Sequence, residues 1–449
     1  MKDLSGKTIL VLGLGTTGIA VCEFLLKRNV HVIAVDDLPL SLLNPKTDRL
    51  QQQGVKVFSQ SEEFSLPWDK ISLLILSPGI PLGHLLVLEA KRRKISVTGE
   101  LEFASQFSSS RVIAITGTNG KSTTTELVGA LFKNAGFNIA LGGNLGTPWL
   151  TLIDENPNPD WTILEVSSYQ LETVETFHPN ISMILNITDD HFERHKNMAG
   201  YIAAKALIWK NQNEKDSLIY NANDVHVLKA IEGAHCRKVP FSSTEHVKGI
   251  YWDTEVQLHS EVSGSVKNYS LQNASLKGLH NIENMMAAIA AAELAGISPE
   301  VIEKTLENFK ALPHRLEFVR ELNGVRYFDD SKGTNVGAVA MSLASFEDPV
   351  ILILGGKDKG GDYKVLRALI KNKARALVLI GEAKEIIRAA LEATVHMEDA
   401  ASMQEAVLRC RDLAKEGDVV LLSPACSSFD MFRDYKHRGD EFQKWVNAL

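Results

Sequence analysis

The chain has 449 residues, a formal net charge of −7, 45% hydrophobic and 23% charged residues. That length exceeds one ordinary core and allows two to four domains with the balance of a soluble globular protein. The acidic balance argues against a nucleic-acid-binding surface, which would show a basic stripe, but leaves nucleotides open because local lysines and backbone amides hold phosphate. Cys22, Cys236, Cys410 and Cys426 lack CxxC spacing, so free thiols in a reducing compartment are expected. The opening "MKDLSGKTILVLGLG" has no leader pattern, and no stretch reaches the roughly 18–20 apolar residues of a membrane span. A cytoplasmic protein without membrane contact is the expectation.

Along the chain, apolar strand-like runs repeatedly enter a glycine turn and then a helical pattern. "TILVLGLGTTGIAVCEFLLKR" is the first, with "HVIAVDD" and "ISLLILSPG" as further strands. Such Val- and Ile-rich runs fit parallel strands covered on both faces. A second unit starts near Gly99 with "SSSRVIAITGTNGKSTTTELVGALF", whose helix repeats Leu127, Leu131 and Val128, Phe132 at four-residue spacing. "WTILEVSSY" and "ISMILNITDDH" add strands; a less periodic stretch of short strands and loops runs to about residue 275. "GLHNIENMMAAIAAAELAGI" then reads as a helix closed by Gly296. "VRYFDD", "VILILGG", "RALVLIG" and "GDVVLLSPA" make a third strand–helix unit. The fold class is α/β with three domains, at 1–98 (Rossmann-like), 99–311 (a doubly wound ATPase-type sheet) and 312–449 (Rossmann-like), and ligands belong beyond the carboxyl ends of the strands.

Several motifs carry chemistry. "GLGTTG", with Gly13, Gly15 and Gly18, has dinucleotide-turn spacing, and Asp36 ends the next strand; a nicotinamide site and a tight strand–helix turn are both compatible with it. "GTNGKST" falls short of the Walker pattern, since Ile115 stands where its first glycine belongs. Its chemistry survives: Gly117 and Gly120 bend amides toward phosphate, Lys121 adds mobile charge, and Ser122 offers a hydroxyl to Mg²⁺ at a helix N-terminus. Glu165, Asp190 and His191 at nearby strand ends can complete a metal shell. "DDSKGTN" (329–335) and "GGKDKGGD" (355–362) put lysines at turns of the third unit, and Cys426 in "SPACSSFDMF" reads as a small buried thiol for want of a base.

Taken in order, "TGTNGKST", "LEVSSYQLE", "NITDDH", "GLHNIENMMAA", "LPHRLEFV" and "DDSKGTNVGA" resemble the Mur ligase superfamily over essentially the whole chain. "DSKGTN" and "SPACSSFDMF" resemble its D-glutamate-adding branch. The resemblance implies a ligase that uses ATP to convert the alanyl carboxylate of UDP-N-acetylmuramoyl-L-alanine to an acyl phosphate. The D-glutamate amine then attacks, yielding ADP and phosphate in peptidoglycan precursor synthesis. It implies two Mg²⁺ ions; a monomer is the expectation. Gly117, Thr118, Asn119, Gly120, Lys121, Ser122 and Thr123 would bind ATP with Asn281, Asn284, Arg315 and Asp330. Ser122, Glu165, His191 and a carbamylated Lys205 would hold metal, and Lys332 would join Lys121, Glu165, His191 and Lys205 in catalysis.

By the same resemblance the first crevice holds UDP rather than a nicotinamide, lined by Thr16, Thr17, Asp36, Ser77, Pro78 and Gly79, with Asn144 on the UDP-sugar. Many members carry an arginine two residues after that acid; this chain has Asp36-Asp37-Leu38. Thr334, Lys359, Ser428, Phe429 and Tyr435 match positions for D-glutamate. A folylpolyglutamate synthetase-like ligase would lack the complete first unit. An NAD-dependent oxidoreductase would leave the DSKGTN and SPAC segments without a purpose.

Overall fold

A computed structural model describes residues 4–43, 45–61, 63–144, 146–253, 257–276, 278–310 and 312–449. Its strands form three sheets, matching the expected α/β class. In the first, Thr8–Leu12 lies centrally, flanked by His31–Asp36 and Ile71–Leu76, with Lys56–Ser59 and Ser96–Gly99 outside them, all parallel. The helix Thr16–Leu26 follows the glycine turn directly. Its Gly18 is a packing requirement, because a Cβ there would stand 1.8 Å from the Gly13 carbonyl oxygen.

The nine-stranded central sheet places Arg111–Thr116 between Trp161–Glu165 and Ile181–Ile184. The loops leaving these three neighbouring parallel strands therefore converge. Behind them, helices Lys121–Asn134 and Leu279–Leu294 pack together and share an apolar core with Ile113, Ile163 and Met183. Gly296, at φ 80°, follows the second helix as expected. The stretch without periodicity extends this sheet through Arg237–Ser242, Ile250–Trp252, Gln257–Ser260 and Lys267–Ser270. The last pairings are antiparallel, and sequences such as QLHS and KNYS, three or four residues long with one solvated face, give little hydrophobic signal.

The third sheet holds Val325–Asp329, Val419–Leu422, Val350–Gly355, Ala374–Ile380 and His396–Asp399 in parallel, with Glu317–Leu322 added antiparallel at one edge. Ala311, the expected end of the central unit, lies outside the described residues. The four cysteines are buried with free thiols. Among the described residues, no helix is long and apolar enough to cross a membrane.

The first and central units share a core in which Val11, Phe24, Phe103, Trp149 and Phe177 pack together. Arg28 and Lys27 reach Asp154 across it at 3.0 and 2.8 Å. In the connecting helix Glu100–Ser105, Glu100 accepts from the Leu150 amide at 2.8 Å and is wholly buried. Burial pushes its carboxyl up to about 7, against the lowering effect of the Leu150 and Trp149 amides. The folded chain thus keeps a proton that the unfolded chain loses near 4.5. This contribution to stability is complete below that value and is lost as pH rises through 7. Glu100→Gln should therefore be more stable than the wild type at pH 8, by up to about 3 kcal/mol, with the gain fading near pH 5. Urea unfolding at the two pH values measures this; an offset independent of pH would contradict it.

Candidate active site

The loop between Arg111–Thr116 and Lys121–Asn134 turns on two glycines in the left-handed half of backbone space, Gly117 at φ 156° and Gly120 at φ 80°. Asn186 pins it, accepting from the Asn119 amide at 2.8 Å and donating to the Asn119 carbonyl at 3.1 Å. Lys121 folds back to donate to the Gly117 and Thr118 carbonyls at 2.9 and 2.8 Å. Lys205, from the helix Met198–Ala206, donates to the same Gly117 carbonyl at 2.7 Å, fully buried. Burial lowers both amines, Lys205 well below the ordinary lysine value, with the Lys121 charge acting in the same direction.

Glu165 ends the adjacent strand and is buried. Its Oε1 accepts from Asn144 Nδ2 at 2.6 Å, while its Oε2 has no hydrogen-bond partner among the described residues. Burial alone would raise this carboxyl, but the Lys121 charge, the nearby Ser122 hydroxyl and the Asn144 hydrogen bond bring it below its ordinary value. An ionised, orphaned oxygen beside a phosphate-type loop is the hard ligand a divalent cation prefers. His191, at φ 58°, stands with its Nε2 3.5 Å from Asp190 Oδ2, and burial lowers its pKa, favouring the neutral ring that binds metal. Ser122 and Glu165 offer the oxygen donors that suit Mg²⁺, with His191 adding a nitrogen.

A cleft of about 550 Å³ lies between the first and central units. It is lined by the expected Thr16, Thr17, Asp36, Ser77, Pro78, Gly79 and Asn144, and reaches Lys121, His191 and Lys205. Asp36 is engaged by its own backbone: its oxygens accept from the amides of Leu14 at 2.6 Å and Leu38 at 2.9 Å. Its carboxylate shapes the turn, which weakens the ribose-binding role of a nicotinamide site. Asp37 meets His84 at 3.0 Å, and Leu38, two residues after Asp36, is exposed.

The third unit closes over the loop from the other side. Arg315 donates to Ser122 Oγ at 2.7 Å, and Asn335 donates to Asn119 at 3.0 Å. A small crevice is walled by Asn119, Gly120, Thr123, Asn281, Asn284, Arg315, Asp330 and Lys332, uniting most of the expected ATP residues. Asp330 is pushed up to about 6 by burial, against hydrogen bonds from Ser342 and Ser423. Lys332 is lowered to about 8 by burial and by Arg315. A second crevice joins Thr334 and Lys359 to Asp190 and His191.

The five residues expected for D-glutamate are not gathered into one wall. Tyr435 lines a different opening with His314 and Arg315, 4.0 Å beneath the Lys332 amine. Phe429 is 70% exposed, and Ser428 is buried. Cys426 meets Tyr363 Oη at 3.1 Å, and burial pushes its thiol up to about 11, as suits an inert sulfur. Sequence reasoning missed Asn186, Asn335, Tyr169 and Tyr201. The asparagines stood inside quoted motifs, but only the fold reveals that Asn335 meets a loop 216 residues away.

This arrangement, a phosphate loop between a nucleotide-type cleft and a separate lysine-bearing unit, defines a three-part nucleotide-dependent enzyme. Comparison with known proteins agrees. The MurD-like N-terminal domain of Mur ligases matches residues 7–99, the Mur ligase middle domain 115–292, and the Mur ligase glutamate ligase domain 314–426. The chain belongs to the Mur ligase family. It is 39% identical over 448 residues to the UDP-N-acetylmuramoylalanine–D-glutamate ligase of Syntrophus aciditrophicus (strain SB), covering 100% of this chain and 99% of that protein. It is 40% identical over 449 residues to the protein of the same name from Geotalea daltonii (strain DSM 22248 / JCM 15807 / FRC-32), covering 100% and 98%. Among solved structures, the fold resembles a pseudomurein peptide ligase type C from Methanothermus fervidus (TM-score 0.62, 17% identity, covering 98% of this chain and 100% of that one). It also resembles the MurF ligase from Thermotoga maritima in complex with ADP (TM-score 0.62, 16% identity, covering 100% of each).

Gly120 tests the loop directly. A Cβ there would lie 2.2 Å from Asn284 Oδ1, at a φ that side chains rarely adopt. Gly120→Ala should weaken ATP binding at least tenfold in calorimetric titration while circular dichroism stays unchanged; wild-type affinity would show that the loop does not carry the phosphates.

Proposed function

We propose that this chain joins D-glutamate to UDP-N-acetylmuramoyl-L-alanine with cleavage of ATP to ADP and phosphate. The observation that carries this reading is the position of His191, a shared wall of the large cleft and of the Lys359 crevice. An acyl donor in the first and an amine in the second would meet beside the loop. The three proposed units, 1–98, 99–311 and 312–449, then bind the UDP-substrate, ATP and the amino acid respectively.

A carboxylate is a poor acyl donor, so its oxygen first takes the terminal phosphoryl group of ATP. The amine of D-glutamate attacks the resulting acyl phosphate, the carbon–oxygen bond breaks, and phosphate departs. The residues act chiefly by positioning and charge neutralisation. Loop amides and Lys121 hold the phosphates, and Arg315 and Lys332 face them from the third unit. Ser122, Glu165, His191 and Lys205 as a carbamate would hold Mg²⁺, which when bound would further neutralise phosphate charge; two ions are proposed. The hydrogen-bonded Asp36 favours this reading over NAD-dependent hydride transfer.

Lys205 forms the carbamate when its neutral amine attacks CO₂, making an N–C bond and releasing a proton. Burial favours this by depressing the amine's basicity. Lys205→Ala should lack turnover, and added small carboxylic acids should restore part of it; full activity in the unassisted variant would refute the carbamate.

D-glutamate brings two carboxylates, and Lys359 with Thr334 offers donors for one of them. Losing a charge-assisted hydrogen bond costs roughly 1.5–3 kcal/mol. Lys359→Ala should therefore raise KM for D-glutamate at least tenfold, with KM for ATP unchanged. Phosphate-release assays should show turnover with D-glutamate and little with L-glutamate or D-alanine. Equal use of both glutamate enantiomers would overturn the amino-acid assignment.

A further inference from the structure

Tyr169 sits in the one-turn helix Ser168–Leu171, held by reciprocal hydrogen bonds between Ser167 and Gln170. Its hydroxyl lies 2.8 Å from His191 Nδ1 and 2.9 Å from Glu193 Oε1, and Glu193 Oε1 is itself 3.3 Å from His191 Nδ1. The phenol ring is also fixed from behind by Arg194, whose guanidinium lies 5.2 Å from the ring centre. Arg194 is bound in turn to Glu172 at 2.6 Å and to the Ile80 carbonyl of the first unit at 2.9 Å.

Only one hydrogen is available on the Tyr169 hydroxyl, and a carboxylate can only accept. A bare Nδ1 would set its lone pair against the Glu193 oxygen. With the proton on Nδ1, the contacts on that side of the ring are satisfied: Nδ1–H donates to Tyr169, and Tyr169 donates to Glu193. A neutral ring then carries its lone pair on Nε2, the nitrogen that stands 3.5 Å from Asp190 Oδ2. Two acceptor atoms so placed suit a cation between them.

We propose that Tyr169 and Glu193 are positioning residues that fix His191 as the Nδ1–H tautomer and so present Nε2 as a metal ligand. The use of that nitrogen rests on the ligase reading; the tautomer itself does not. Hydrogen bonds of this outer kind set ring orientation and raise ligand basicity, and their loss typically costs about 10–100-fold in metal affinity or activity.

Nitrogen-15 NMR of histidine-labelled full-length protein at pH 8, with the His191 signals assigned by difference from His191→Asn, reads the tautomer. Binding of Mn²⁺ alone, followed by electron paramagnetic resonance, reads the ligand. The wild type should show Nδ1–H. Tyr169→Phe, which keeps the ring, should shift His191 toward Nε2–H and weaken Mn²⁺ binding about tenfold or more. It should lower kcat. Glu193→Gln, a second variant that leaves the phenol in place, should weaken Mn²⁺ binding in the same direction. An unmoved tautomer with Mn²⁺ affinity within twofold of wild type in both variants would overturn the proposal. A wild-type chain that shows Nδ1–H but does not join D-glutamate would instead sink the ligase reading.

Discussion

Two lysines, Lys205 buried and Lys121 half-buried, donate to one carbonyl, that of Gly117. Lys121 comes from the helix that follows the loop and Lys205 from the separate helix Met198–Ala206. That convergence ties the loop to the wall of the substrate cleft. It also places two amines where burial disfavours charge, so the site is poised for partners that bring negative charge. Phosphate oxygens would draw Lys121 off the carbonyl, and conversion of Lys205 to an anion would relieve the crowding.

The same electrostatics organise the third unit. Arg315, Lys332 and Lys359 face the loop from across the boundary, while Glu165 and Asp190 are the nearby acids. Among the described residues, the third unit bonds the loop through Arg315 to Ser122 and Asn335 to Asn119. The first and central units differ in this respect, because they share a continuous apolar core. The third unit supplies cations, Arg315, Lys332 and Lys359, to the loop.

Much of this was legible in the sequence because backbone requirements leave local marks. Gly117 and Gly120 occupy positive φ, and the apolar runs before Gly13, Gly117 and Gly355 are strands buried on both faces. The Mur ligase motifs added residues that no periodicity could assign. What remained hidden depends on distant or weakly patterned contacts. The strands between 237 and 270 are short and partly polar, so they carry little period-two signal. Tyr435 stands near the motif that includes Ser428, yet the helix it begins turns it toward His314 and Arg315. Tyr169 reads as an ordinary aromatic until the turn of Glu193 comes beside it.

The central claim is that the loop serves to transfer a phosphoryl group onto a carboxylate that the neighbouring cleft delivers. This makes the bridging oxygen of the acyl phosphate originate in the substrate carboxylate, and that oxygen must leave with phosphate when the amine attacks. UDP-N-acetylmuramoyl-L-alanine labelled with ¹⁸O in both alanyl carboxylate oxygens, turned over with ATP and D-glutamate, follows it by mass spectrometry. The account predicts one labelled oxygen in each phosphate released and one retained in the new amide. Unlabelled phosphate formed alongside the amide product would contradict it.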